Sequence, residues 1–211
     1  LASFRSLYER EGYFGTKIEL FVKPVGESNQ LVDLVFKIER GEPRKICEVG
    51  LRGVKAMPYV EAREWLLSDG SFFSRRLNLY ETTYTTRGFK RGQQELIEEY
   101  RRQGYFQARI VRKLAKFSKT SSCVTLIVDV AEGPHWDLRF IGSKRFLKED
   151  LVEKLPFFET GYVDSEEIRR AEYAIAKLYE TRGYPFAKIA AREVSRDRLD
   201  RILEIQIEEG P

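Results

Sequence analysis

Tyr100-Arg101-Arg102-Gln103-Gly104-Tyr105-Phe106 is one of three copies of the same phrase in this chain. The others are Tyr8-Glu9-Arg10-Glu11-Gly12-Tyr13-Phe14 and Tyr179-Glu180-Thr181-Arg182-Gly183-Tyr184-Pro185-Phe186. Each is followed by an alternating stretch, a polar gap, a second alternating stretch and a closing motif. Those closings are Arg40-Gly41-Glu42-Pro43, Glu132-Gly133-Pro134 and Glu209-Gly210-Pro211. From the phrase's glycine to the closing proline is 31, 30 and 28 residues, and successive prolines lie 91 and then 77 apart. A period of that length belongs to a string of small domains, not to a short solenoid repeat.

The residues around each phrase say what it does. Before Gly183, Asp164-Ser165-Glu166-Glu167 has the form of a capping box, with Asp164 as cap and Glu167 reaching back. Ile168, Ala171, Ile175 and Leu178 then recur at helical spacing. Gly183 ends the helix by supplying a left-handed residue, and Gly104 and Gly12 do the same. The aromatic after each glycine folds back onto the helix end, so Tyr8, Tyr100, Tyr179 and the Gly-Tyr pairs read as core and cap, not as ligand contacts. After the glycine the period drops to two. Leu34, Phe36 and Ile38, then Leu126, Val128 and Val130, then Leu203, Ile205 and Ile207 alternate with more polar neighbours, as in a sheet with one buried face.

Two further strands precede the helices: Ile46 to Leu51 closing at Gly53, and Trp136 to Ile141 closing at Gly142. A shorter helix follows each, over Tyr59–Leu67 and Lys148–Leu155. The unit is strand, helix, helix, strand, strand. This predicts an α+β chain of tandem small domains, each a three-stranded mixed sheet backed by two helices. Residues 1–43 form a partial module (second helix and last two strands), 44–134 a complete module, and 135–211 another. From the first-strand glycine to the Gly-Tyr glycine is 51 residues in the middle copy and 41 in the last. The extra ten lie around Ser68 to Gly92, as a longer inter-helix loop or an extended second helix.

Composition narrows the function. The chain of 211 residues is 42% apolar, 13% aromatic and 33% charged, which suits a folded globular protein. No stretch approaches the roughly 18 apolar residues of a spanning helix. The chain opens at Leu1 without a leader and reads as a fragment of a longer protein. His135 is the only histidine, so metal sites and histidine-based triads lack their parts. No phosphate loop or nucleophile elbow is present, and no cofactor or enzymatic activity is expected. Cys47 and Cys123 form no CxxC. Two buried free thiols are expected, with a disulfide as the alternative in an oxidising compartment. The net charge of +4 is unevenly spread. Lys plus Arg against Asp plus Glu is 6 to 7 over residues 1–43, 17 to 10 over 44–134, and 14 to 16 over 135–211.

A strand-helix-helix-strand-strand unit with Tyr-x-x-x-Gly-Tyr before its second strand and Glu-Gly-Pro at its end resembles the POTRA domain. The run Glu132-Gly-Pro-His-Trp-Asp-Leu-Arg-Phe-Ile-Gly142 is similar to that family's join, where one module ends and the next first strand starts almost at once. Tandem arrays of this kind look like the periplasmic part of BamA-type and TamA-type outer-membrane assembly proteins, of the surface antigen family. The chain departs from the pattern at Pro185, which stands where Phe14 and Phe106 stand, and in the order Gly41-Glu42-Pro43, which is expected to loosen the first hinge.

The resemblance implies a periplasmic region that binds unfolded outer-membrane proteins and assembly lipoproteins or other periplasmic partners. It also implies a full-length protein that continues into a membrane β-barrel. A three-stranded sheet keeps open edges, which accept an extended segment as an added strand. The candidate edges are Lys17–Val22, Gln107–Lys113 and Ala187–Val194. The binding residues expected there are Lys17, Ile18, Glu19 and Leu20; Gln107, Ala108, Arg109, Ile110, Val111, Arg112 and Lys113; and Lys188 and Ile189. Arg109, Arg112, Lys113, Lys116 and Lys119 form a candidate basic patch, either a solvated hairpin or a surface for anionic lipid head groups or an acidic partner. Gly12, Gly104, Gly183, Gly53 and Gly142 are assigned structural roles.

Rival readings are weaker. Gly50-Leu-Arg-Gly53 has the GxxG form of a KH-type RNA binder, but it ends a strand where the KH loop joins two helices, so no nucleic-acid partner is expected. A cell-division protein with one POTRA-like module, or a secretion pore with two, fits three modules less well.

Overall fold

The structure is a computed structural model that describes residues 1–25, 31–68, 83–196 and 200–210. In chain order the elements are α1 (Ala2–Arg10), β1 (Tyr13–Phe14), β2 (Lys17–Val25), β3 (Leu31–Glu39), β4 (Glu42–Pro43), β5 (Lys45–Arg52) and α2 (Tyr59–Leu67). Then come α3 (Thr86–Arg102), β6 (Arg109–Phe117), β7 (Cys123–Ala131), β8 (His135–Ile141), α4 (Lys148–Val152) and α5 (Phe157–Thr160). The last are α6 (Ser165–Thr181), β9 (Lys188–Arg196) and β10 (Asp200–Glu208).

Two modules run, as predicted, from a first strand through helices to two closing strands, although the last one has three helices, α4, α5 and α6, where two were expected. Their sheets run β5-β7-β6 and β8-β10-β9, so the last strand of each module is central and the strand after the Gly-Tyr pair is an edge. The first strand pairs with the last in parallel: Lys45 lies opposite Cys123, and Leu138 opposite Leu203. β9 pairs with β10 antiparallel, from Glu208↔Lys188 to Arg201↔Arg196, with a register shift between Ile202 and Leu203. In the N-terminal part β2 and β3 make a two-stranded antiparallel sheet, and β1 and β4 pair as Tyr13↔Pro43 and Phe14↔Glu42.

Contacts divide the chain into two compact units. One holds Leu1–Arg52, Met57–Glu95 and Arg112–Asp129, and the other holds Gly53–Ala56, Leu96–Val111 and Val130–Pro211. In the first, Val49, Ala62, Trp65, Leu66, Val124 and Leu126 are buried. Helix α3 comes close to α2 at Gly92, where a Cβ would lie 1.8 Å from the Leu66 carbonyl oxygen, so only glycine fits. In the second, the core gathers Trp136, Leu151, Phe157, Ile175, Leu203 and Ile205. Leu126, Val128 and Val130, and Leu203, Ile205 and Ile207, are buried as their alternation predicts, whereas Leu34, Phe36 and Ile38, expected on a buried face of the first module, are exposed.

The Tyr-x-x-x-Gly-Tyr phrase is a helix-ending motif in atomic detail. After α3, the Tyr105 N–H donates to the Tyr100 carbonyl at 2.9 Å and the Gly104 N–H to Arg101 at 3.0 Å. After α6, Tyr184 donates to Tyr179 at 2.9 Å and Gly183 to Glu180 at 3.1 Å. Both are Schellman closures, which need the left-handed residue that φ values of 88° at Gly104 and 92° at Gly183 supply. The first tyrosine sits on the last helical turn and the second packs its ring against it, 6.0 Å away for Tyr100 and Tyr105 and 6.2 Å for Tyr179 and Tyr184.

Several expectations need correction. Cys47 and Cys123 are not free thiols; they form a disulfide between β5 and β7. The parallel pairing brings Cys47 beside the start of β7, and the register shift between Ile46 and Glu48 makes it the extra residue there. The helix expected over Lys148–Leu155 stops at Val152, and α5 begins after Pro156. Proline lacks an N–H and disfavours helix in the residue before it, which explains the break. Asp164 does cap α6, accepting the Glu166 and Glu167 N–H groups at 2.9 Å each, but Glu167 pairs with Arg170 at 3.0 Å instead of reaching back. Helices α3 and α6 both have 17 residues, so the extra length of the middle module is not an extended second helix. It lies before Thr86, and residues 69–82 of that stretch are outside those described.

Candidate functional site

The three predicted edges are strands. Lys17, Ile18, Glu19 and Leu20 open β2, with Lys17 opposite Glu39 and Glu19 opposite Lys37. Arg109, Ile110, Val111, Arg112 and Lys113 lie in β6, and Lys188 and Ile189 begin β9. Gln107 and Ala108, expected on the middle edge, precede it instead. They fall in the turn after the Schellman closure, which uses two residues more than the sequence pattern suggested, and Ala108 is buried. Ala187 likewise precedes β9.

The five basic candidates are all exposed, but they do not share one face. Arg112 and Lys113 are consecutive in β6, so the pleat sends them to opposite sides of the sheet. The Arg112 guanidinium lies 4.0 Å from the Asp129 carboxylate. Lys119 stands beyond the strand in the turn to β7. They therefore form a charged rim around an edge. At the start of β6 a recess of about 360 Å³ opens between Arg101, Gln107, Arg109, Thr160, Gly161 and Tyr162.

The structure also shows a polar hub that the sequence pattern did not reveal. In the middle module a single Glu132 oxygen accepts the N–H groups of Lys55 and Ala56, at 2.6 and 2.8 Å, and the Tyr100 hydroxyl at 2.8 Å. In the last module Glu209 accepts Lys144 and Arg145 N–H, at 2.8 and 2.9 Å, and the Tyr179 hydroxyl at 3.1 Å. The glutamate of each Glu-Gly-Pro thus joins the end of the last strand to the exit of the first strand and to the second helix. The Lys144 and Arg145 amides, with Tyr179, hold the Glu209 carboxyl below its usual range. Burial is the main cause that pushes the Tyr100 and Tyr179 hydroxyls above theirs, with the facing glutamates adding to it. A spacing repeated from tyrosine to glutamate, 32 residues and then 30, was the available signal. In the first copy Arg40 occupies the glutamate's place, 32 residues after Tyr8, and its guanidinium lies 5.2 Å from the centre of the Tyr13 ring.

Gly53 and Gly142 complete this corner. Each has positive φ, and a Cβ there would lie 2.1 Å from the Val130 carbonyl oxygen and 2.2 Å from that of Ile207, respectively. The Gly-Tyr cap is used again where β8 begins: the Trp136 N–H donates to the Gly104 carbonyl at 3.0 Å. Arg101 donates to the Phe158 carbonyl at 2.8 Å, and the Phe106 ring packs 5.6 Å from Phe157 and 5.0 Å from Phe158.

Among the described residues no group of histidine, cysteine, aspartate or glutamate side chains is placed to hold a metal ion, and no helix is long and apolar enough to cross a membrane. Two copies of a small sheet, each with helices packed on it and a corner glutamate, define the class of tandem α+β modules that present sheet edges. Residues 137–210, the last module, match the family model of the POTRA domain, described as the surface antigen variable number repeat.

The chain is similar to a solved structure of BamA POTRA3-5 from Haemophilus influenzae, at 12% identity and a TM-score of 0.41, covering 98% of this chain and 78% of that one. It is similar to the N-terminal domain of Omp85 from the cyanobacterium Thermosynechococcus elongatus at 14% identity and a TM-score of 0.35, covering 93% and 78%. With CdiB from Escherichia coli the values are 13% and 0.32, covering 97% of this chain and 32% of that one. No curated protein matches the chain.

Proposed function

We propose that this chain is the periplasmic POTRA region of an outer-membrane protein assembly or secretion factor, and that it works as a receptor for extended polypeptide. The observation that supports the reading best is the strand order. In both complete modules the strand after the Gly-Tyr pair is left at an edge, nine residues long. An edge presents unpaired N–H and C=O groups, and pairing through the main chain ignores most side chains, which suits a receptor for many clients. In this reading the partners are unfolded outer-membrane proteins and periplasmic lipoproteins. The module boundaries fall at Pro43 and Pro134, and the protein acts without catalysis.

Of the edges, β6 is the one we assign to clients. Arg109, Arg112, Lys113, Lys116 and Lys119 surround it, and the recess by Arg109 leaves room for the end of an added strand. The same cations would meet anionic head groups if the region lay against a membrane. The test is a titration of labelled protein with extended peptides copied from barrel strands, followed at backbone amides. Shifts along β6 are expected. Shifts confined to helices would show that strand addition is the wrong mode.

A further inference from the structure

The two complete modules carry the same edge, but they do not leave it equally open. On β9 the N–H of Ala191 is already taken: it donates to a carboxylate oxygen of Glu172 at 2.7 Å. Ala191 stands opposite Ile205 of the central strand, yet its amide is bonded to helix α6 and not to that strand. In an antiparallel ladder amides alternate in direction, so those of Ile189 and Glu193 point to the same open side as Ala191. Glu172 therefore occupies the middle one of three outward donors. An incoming strand pairing there must displace a charge-assisted hydrogen bond before it forms its own.

The middle module has no carboxylate at this place. Glu172 lies eleven residues before Gly183, and eleven residues before Gly104 stands Gln93. The Gln93 amide is buried and donates to the Phe89 carbonyl at 2.8 Å, within its own helix. The same helical position thus faces the edge in one module and folds back on the helix in the other. We propose that Glu172 is a specificity-determining residue that closes the β9 edge and so directs strand addition to β6. The proposal rests on the receptor reading above and sharpens it.

The probe is a nine-residue peptide copying Asp200–Glu208, the strand that β9 already accepts on its other side. Its three acidic residues and single arginine suit the basic rim of β6. It is titrated into the whole chain and into Glu172→Ala and Glu172→Gln variants, with backbone amides followed along both edges. In the unchanged protein shifts are expected on Arg109–Phe117 and not on Lys188–Val194. Glu172→Ala is expected to tighten binding at β9 by about tenfold, the worth of a hydrogen bond to a charged group. Glu172→Gln, which keeps an accepting oxygen, should leave β9 largely closed. If β6 responds while β9 stays silent in Glu172→Ala, or if β9 responds with Glu172 in place, the guard is overturned and the receptor reading stands. Silence on both strands in every protein overturns the receptor reading and the guard with it.

Discussion

The middle and last modules have the same sheet order, yet they use their side chains differently. Both have a glutamate corner and a tyrosine-glycine cap. The middle one adds a disulfide between its first and last strands, and the aromatic beyond its cap is covered by α5. Phe106 is 1% exposed against Phe157 and Phe158, whereas in the last module Pro185 stands in its place and the following Phe186 is 69% exposed. The shared residues build the module. The unshared ones, the disulfide and the cover over Phe106, are particular to the middle copy.

The largest test of this division is the disulfide. It closes a loop between residues 76 apart in sequence, and such a closure removes about 4.5 kcal/mol of unfolded-state freedom in the chain-entropy account. A Cys47→Ser, Cys123→Ser double variant should lose stability on that order in the middle module alone. The two tryptophans make this measurable, because Trp65 reports α2 and Trp136 reports β8. Denaturant unfolding should show the Trp65 transition moved to lower urea and the Trp136 transition held. A matching movement of both would show that the modules do not unfold separately.

Next comes the cap glycine. Gly104 and Gly183 have the same left-handed backbone, but a Cβ on Gly104 would lie 2.6 Å from the Trp136 carbonyl oxygen, while on Gly183 it would meet nothing within 4 Å. Gly183→Ala should cost only the left-handed penalty, about 1–2 kcal/mol. Gly104→Ala should cost about 3 kcal/mol, because it also pushes β8 off the cap. Equal costs, measured by urea unfolding of the two variants, would mean that the close approach carries no stability.

Much of this was legible in the sequence, and the residues show why. The cap was readable because Tyr, Gly and Tyr act within one helical turn, so their spacing is fixed by local geometry. The strand faces of Leu126 to Val130 and Leu203 to Ile207 were readable for the same reason. What the sequence hid was long-range. Glu132 meets Lys55 and Ala56 across 77 and 76 residues. Cys47 finds Cys123 only because β5 and β7 are parallel neighbours. The edge positions were foreseeable from the fold, but their occupancy was not: Glu172 looks like any exposed helical carboxylate until Ala191 is seen beneath it.

The glutamate corner is where the modules agree, so its loss should hurt each in its own place. Glu132→Ala strands two amides and the Tyr100 hydroxyl, and should cost about 2 kcal/mol, while Glu132→Gln keeps the accepting oxygen and should cost less. Thermal melts of the two variants would separate these outcomes. Equal losses would mean that the site needs the charge and not merely an acceptor.

The smallest expected effect is on pH dependence, and it distinguishes the two ends of the scale. The Glu209 carboxyl is held below its ordinary 4.5 first by the Lys144 amide, so its contribution is present above that value and fades as pH falls through the lower folded value. Tyr100 and Tyr179, raised above 10.0 chiefly by burial, contribute fully below 10.0, and that contribution is lost as pH rises through their folded values. Stability followed by Trp136 fluorescence should therefore decline at both extremes. Glu209→Gln should flatten the acid side while leaving an alkaline decline, since a tyrosine buried in the core still resists ionising when its acceptor is neutral. An acid limb unchanged by Glu209→Gln would place the acid sensitivity of the last module on a carboxylate outside this corner.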